Sequence, residues 1–275
     1  DVHGAVRAAL DGARAQAYAA TVGGDAWRSH LAVLAAARGP EGHEAETARR
    51  AAQRSTERVP VKTFPQYVSL RLTPDGELFH GEDGRVSCYA PGHGDLPYAL
   101  RRAGALKQFR NGGGELLYMS NVDNLGATLD PAVIGFHLDA GCAVTAEVVD
   151  KLPGDKGGAP ARVDGDLQIV ESFRFPDGFD QDDISVFNTN SFVLDAAELD
   201  HDFPLTWFAV NKVVDGRDAV QFERLVGQIT AFLPTAFLRV ERSGRDGRFQ
   251  PAKDPEELAQ RRPEIRELLR ARGVL

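Results

Sequence analysis

The sequence predicts a mixed α/β protein, and three observations carry that expectation. Segments with helical spacing, such as 97-PYALRRAGALKQF-109, alternate with apolar runs such as 115-ELLYMSNV-122 and 142-CAVTAEVVD-150. That alternation points to an α/β sheet with parallel pairs. Turn signals, TPDG at 73–76 and GEDG at 81–84, add hairpins. At 275 residues and 43% hydrophobic content, the chain can bury a core without covalent staples.

Taken in order, the first 60 residues stand apart. Ala fills 17 of the first 58 positions, with three Leu and no Phe or Ile. Stretches such as 44-EAETARRAAQRSTER-58 favour helix but carry a thin apolar stripe, so they predict exposed or frayed helices and no central strand. The core is expected over 61–275. It opens at 62-KTFPQYVSLRL-72, where β-branched and aromatic residues appear. A helix follows 91-PGHGD-95, with Asp95 as its N-cap.

Further along, 161-ARVDGDLQIVESF-173 reads as a hairpin about Asp164-Gly165, and 184-ISVFNTNSFVL-194 as a buried strand with polar insertions. In 217-RDAVQFERLVGQITAFL-233, Val220, Phe222, Leu225, Val226 and Ile229 fall on one side at helical spacing. The tail from Asp254 predicts a closing helix, N-capped by Asp254, with Pro255 at its first position and an interruption near Pro263.

Charge and cysteine content exclude several classes. A formal charge of −8 argues against a nucleic-acid polymer as partner. Cys88 and Cys142 lie in no CxxC or Cys/His cluster, which disfavours a disulfide framework or structural zinc and suits a reducing cytoplasm. No run approaches 18 apolar residues, and the first residues lack a signal-peptide core, so no membrane segment is expected.

The candidate site residues cluster in a few strings. In PGHGD, two glycines around His93 let the backbone approach a ligand closely, at a helix start that suits phosphate or a base edge; a plain turn before the helix is the alternative. The strand 115–122 would deliver Asn121, Asp123 and Asn124 to its carboxyl end, where ligands of open α/β sheets sit. An Asp there can hold Mg2+ whose other ligands are water and phosphate; an Asx-rich turn bonding its own backbone is the alternative. In 187-FNTN-190, strand alternation puts Asn188 and Asn190 on one face, and paired amides suit sugar hydroxyls, with Glu171 able to accept from others. Lys156 and Lys253 could each neutralise a phosphate, although surface lysines are common.

Together, PGHGD, SNVDNLGATLD, DKGG, IVES, FNTN, QFER and PAK, in this order over residues 62–258, resemble the UTP–glucose-1-phosphate uridylyltransferase (UDP-glucose pyrophosphorylase) family, within the UDP-sugar pyrophosphorylase group. The resemblance implies a Rossmann-like, GT-A-like nucleotidyltransferase sheet flanked by helices. It also implies attack of glucose 1-phosphate on UTP, giving UDP-glucose and pyrophosphate with Mg2+. By motif, Gln66, Gly92, His93 and Asn121 would bind the nucleotide, and Asn124, Glu171, Asn188 and Asn190 the sugar. Lys156 and Lys253 would bind phosphate, and Asp123 the metal, with Lys253 and Asp123 carrying catalysis.

The family's LxGGxGT-like loop, which cradles the triphosphate at the end of the first strand, has no counterpart in residues 1–60. There, 21-TVGGDAW-27 has two glycines but neither the strand before nor the lysine after. Three further readings follow: a form lacking the first strand and loop, a non-catalytic UDP-sugar-binding protein or inactive remnant, and a UDP-N-acetylglucosamine pyrophosphorylase.

Overall fold

The computed structural model describes residues 63–155, 157–273 and 275, so the segment read as 1–60 lies outside them. The strands are β1 (Ser69–Leu70), β2 (Cys88–Tyr89), β3 (Leu116–Met119), β4 (Val144–Asp150), β5 (Ala159–Val163), β6 (Asp166–Val170), β7 (Val186–Asp195), β8 (Phe208–Val214), β9 (Arg217–Glu223) and β10 (Thr235–Arg239). The α-helices are α1 (Leu96–Arg102), α2 (Ala105–Asn111), α3 (Pro131–Ala140) and α4 (Pro255–Ala271). The span read as one core, 61–275, divides into two compact units. One runs to Gly113 and includes Thr206–Leu225; the other holds Gly114–Leu205 and Val226–Leu275.

The first unit joins two small antiparallel pairs, β1–β2 and β8–β9, through a bridge between Leu72 and Val220. Phe79, Tyr89, Ala99, Leu106 and Ala219 are buried in this unit. Two sequence expectations fail here. The stretch 217–233 is no helix: it forms β9 and then a 3₁₀ turn, Val226–Ala231. Asp215 and Gly216 take φ of 51° and 70°, the left-handed pair of a two-residue hairpin turn, which commits the chain to pairing with β8. Along β9, Ala219 and Gln221 are buried at a spacing of two, the strand period. The helical stretch 97–109 is likewise divided, at Gly104 with φ of 70°.

The second unit is built on a four-stranded mixed sheet ordered β10-β4-β7-β3. Only β10–β4 is parallel; β4–β7 and β3–β7 are antiparallel. β4 is buried at six successive positions, as a central strand covered on both faces must be. The predicted hairpin β5–β6 turns at Asp164-Gly165, with φ of 52° and 97°. Asp254 caps α4 as expected, its Oδ1 accepting from the Glu257 amide at 2.8 Å. The expected interruption at Pro263 does not occur, since α4 runs unbroken from Pro255 to Ala271. Pro263 and Ala259 are both exposed, so water can take the Ala259 carbonyl that proline leaves unbonded. No helix among the described residues is long and apolar enough to cross a membrane.

Candidate active site

The second unit gathers most of the predicted site residues, because β3 runs antiparallel to β7. Their register pairs Met119 with Phe192. One residue on, the Ser120 and Ser191 hydroxyls lie 3.1 Å apart, and Asn190 Nδ2 donates to Asn121 Oδ1 at 2.7 Å. The carboxyl end of β3 thus meets the FNTN string.

The alternation expected for Asn188 and Asn190 is broken. Glu147 pairs with Ser191 while the next residue, Val148, pairs with Asn188, so Thr189 and Asn190 form a bulge on β7. Asn190 takes φ of 58°, a left-handed conformation that asparagine tolerates better than most residues. Its amide N–H donates to Asn188 Oδ1 at 3.1 Å, and its own Oδ1 is buried without a partner among the described residues. A buried, unpartnered amide oxygen on strained backbone is the kind of irregularity that functional sites retain.

Glu171 stands beside this pair. A Cβ placed on Gly158 would lie 3.1 Å from Glu171 Oε1 and 2.8 Å from Ile169 Cγ2, so only glycine leaves room there. The Gly158 carbonyl accepts from the Asn188 amide at 2.9 Å. Burial pushes the Glu171 carboxyl up, opposed by the nearby Arg174 charge. Lys156, in the same DKGG string, lies outside the described residues.

The Asp123 turn is welded to residues 248–253. Leu125 N donates to Gln250 O at 3.0 Å, and Ala252 N to Asp123 O at 2.9 Å, placing Lys253 one residue beyond. The Asp123 carboxylate and the exposed Lys253 ammonium carry no hydrogen bond or ion pair among the described residues. Asn124, expected to face the sugar, also holds the turn itself. It is buried, its Oδ1 accepts from Gly126 N at 3.2 Å and Gln250 N at 2.8 Å, and its Nδ2 donates to Arg248 O at 3.1 Å. An amide so engaged braces the turn, the Asx-turn alternative weighed above.

Sequence reasoning missed what lies behind this turn. Glu147 on β4 and Arg248 form a buried ion pair, Nε to Oε2 at 2.5 Å and Nη2 to Oε1 at 2.7 Å. The signal was there: a glutamate inside the apolar run CAVTAEVVD needs a buried partner.

In the first unit, Gln66 Nε2 donates to the Gly92 carbonyl, so the glutamine expected to bind the nucleotide and the PGHGD turn are in contact. Asp95 stands at the N-cap position of α1 as expected, but its side chain makes no capping bond. Fully buried, it accepts from Tyr67 N at 2.7 Å and from Arg224 Nη2 at 2.6 Å. Gly94 N donates to Arg224 O at 2.8 Å, and a Cβ on Gly92 or Gly94 would come within 2.5 Å of the Arg224 backbone. The glycines therefore admit the QFER strand, and Asp95 ties it to the Gln66 segment. Arg224 also lies over the Trp207 ring at 4.3 Å. Burial pushes the His93 imidazole down, opposed by the Glu223 charge.

The second unit is thus a mixed α/β sheet with an Asp-bearing turn at a strand end, and similarity to known proteins places the chain in the nucleotidyltransferase class. A family model described as UTP–glucose-1-phosphate uridylyltransferase matches residues 42–268. The UTP–glucose-1-phosphate uridylyltransferase of Encephalitozoon cuniculi is 30% identical over 202 residues, covering 69% of this chain and 39% of its own. One from Dictyostelium discoideum is 30% identical over 208 residues, covering 71% and 40%. A variant of Leishmania major UDP-glucose pyrophosphorylase, crystallised with UDP-glucose, superposes with a TM-score of 0.59 at 25% identity, over 70% of this chain and 46% of that one. The chain belongs to the UTP–glucose-1-phosphate uridylyltransferase family. It spans about two fifths of the length of these curated relatives.

Proposed function

We propose that the protein transfers a uridylyl group from UTP to glucose 1-phosphate, forming UDP-glucose and pyrophosphate. The observation that carries this reading is the meeting of three strings distant in the second unit's sequence: Asn121 bonded to Asn190, with Asp123 paired through Ala252 to the Lys253 segment. Family membership supplies the reaction class, and the L. major relative, crystallised with UDP-glucose, supports the sugar.

In this reading a phosphate oxygen of the sugar phosphate attacks the α-phosphorus of UTP, and pyrophosphate leaves. Such transfers need positioning and charge neutralisation more than covalent help from protein. Asn188, Asn190 and Glu171 bind the hexose hydroxyls, and Asn121 orients the nucleotide-sugar by way of its bond to Asn190. Lys253 and Lys156 neutralise phosphate. In the first unit, Gln66 reads the uracil, while Gly92 and His93 border the nucleotide; burial keeps His93 neutral near pH 7. Asn124 braces the turn.

Mg2+ fits the donor set. Asp123 offers an unbonded carboxylate, and no group of three or more His, Cys, Asp or Glu among the described residues forms a protein-only cage. Mg2+ commonly takes one or two carboxylates and completes its shell with water and substrate phosphate. When bound, it would offset negative charge on the phosphates. Cys88 and Cys142 are free thiols, which supports a reducing, cytoplasmic setting. Incubating the chain with UTP, glucose 1-phosphate and Mg2+ and following pyrophosphate tests the proposal. Calorimetry with UDP-glucose distinguishes an enzyme from a protein that only binds.

A further inference from the structure

The Asp123 turn is held by a buried charge network that no substrate contact requires. Glu147 is fully buried and the Arg248 side chain 4% exposed. Beyond the two bonds to Glu147, Arg248 Nη2 donates to Thr128 O at 2.9 Å and to Tyr118 Oη at 3.1 Å. Tyr118 in turn donates to Glu147 Oε1 at 3.1 Å. Arg248 thus holds both ends of the turn: its carbonyl takes the Asn124 amide at 3.1 Å, and its guanidinium takes the Thr128 carbonyl. A Cβ on Gly126 would lie 2.7 Å from the Arg248 carbonyl carbon, so the turn lies flat against it. Arg272, just past α4, adds bonds to Gly126 O at 2.8 Å and Thr128 Oγ1 at 2.6 Å.

Stability does not explain this arrangement. A buried ion pair gains little over apolar residues of similar volume, because desolvating both charges offsets their attraction. What it provides is direction: the arginine fork fixes two bond vectors at once, anchored on Glu147 of β4 and Tyr118 of β3. We infer that Glu147 and Arg248 are positioning residues that set the Asp123 turn relative to the rigid sheet, and so set Mg2+ affinity. The Mg2+ part rests on the proposed role of Asp123.

The test is Arg248→Lys in the full chain, which keeps the charge and loses the fork. Two readouts are taken: Mg2+ half-saturation in pyrophosphate release, and amide hydrogen exchange over 121–128. The expected result is a rise of about tenfold or more in half-saturating Mg2+, the usual effect of losing a residue that orients a metal ligand. Exchange at 121–128 becomes faster, while that of β4 and β7 is unchanged. Tyr118→Phe, which removes one hydroxyl and no charge, moves both readouts the same way by less and covers the case of a poorly folded lysine variant. Unchanged exchange at 121–128 in both variants overturns the inference. Faster exchange with unchanged Mg2+ dependence removes its metal part. Full turnover in Asp123→Asn instead refutes the role of Asp123 and leaves the exchange result to judge the positioning of the turn.

Discussion

The amide of Ala252 donates to the carbonyl of Asp123 across 2.9 Å, so a carboxylate from the end of β3 and the ammonium of Lys253 are carried on directly bonded backbone. The two groups proposed to handle phosphate charge come from positions 130 residues apart in sequence, yet a single displacement would move both.

Asp123→Asn tests the carboxylate alone. Its side chain bonds no described residue, so the melting temperature should stay within about a degree or two, as for surface changes away from packing or caps. Turnover should fall by about a hundredfold or more, the usual scale for one lost charge-stabilising contact. Pyrophosphate release against Mg2+ concentration measures it.

Asn190 separates backbone from side chain. With φ at 58°, Asn190→Ala should cost roughly 1–2 kcal/mol of stability from the left-handed conformation, whereas Asn190→Gly relieves that cost. Both lose the amide bonded to Asn121, so UDP-glucose affinity should fall alike in the two variants. Denaturant unfolding and calorimetry together read the split. Equal stability of the two variants would contradict the backbone account.

Glu171 predicts a pH dependence. Its carboxyl is raised above the ordinary 4.5 by burial. The folded state therefore favours the protonated form, a contribution fully present below pH 4.5 and lost as pH rises through the raised value. Glu171→Gln should match the parent's stability at low pH and exceed it increasingly above, while losing affinity for the sugar. Unfolding midpoints from pH 4 to 8, on the scale of ordinary carboxylate titration, give the test.

Asp95 tests the first unit. Asp95→Ala leaves Arg224 without its counter-charge and Tyr67 N without its acceptor, and should cost about 3 kcal/mol or more. Uridine nucleotide affinity should fall too, since the Gln66 segment loses its tie. Denaturant unfolding and nucleotide calorimetry check both.

How far the sequence alone foresaw this structure depends on range. Local signals held: Asp164-Gly165 turned its hairpin, Asp254 and Pro255 started α4, and 142–150 became a buried strand. The misreading of 217–233 came from weighing apolar spacing over Asp215-Gly216, a hairpin turn signal that decided the outcome. The strings of the candidate site stood out one by one in the sequence, but not their mutual placement. Antiparallel pairing of β3 with β7 brings Asn121 to Asn190, and the bulge at Thr189–Asn190 has no marker in a strand of ordinary alternation. The cap position of Asp95 was legible because caps are local; the partners its side chain bonds, Tyr67 and Arg224, are 28 and 129 residues away.

The most direct measurement is pyrophosphate release by the purified chain given UTP, glucose 1-phosphate and Mg2+, with the Asp123→Asn variant alongside. The account predicts stoichiometric UDP-glucose and pyrophosphate from the parent, and loss of both in the variant. No release from a folded parent that nonetheless binds UDP-glucose would contradict it.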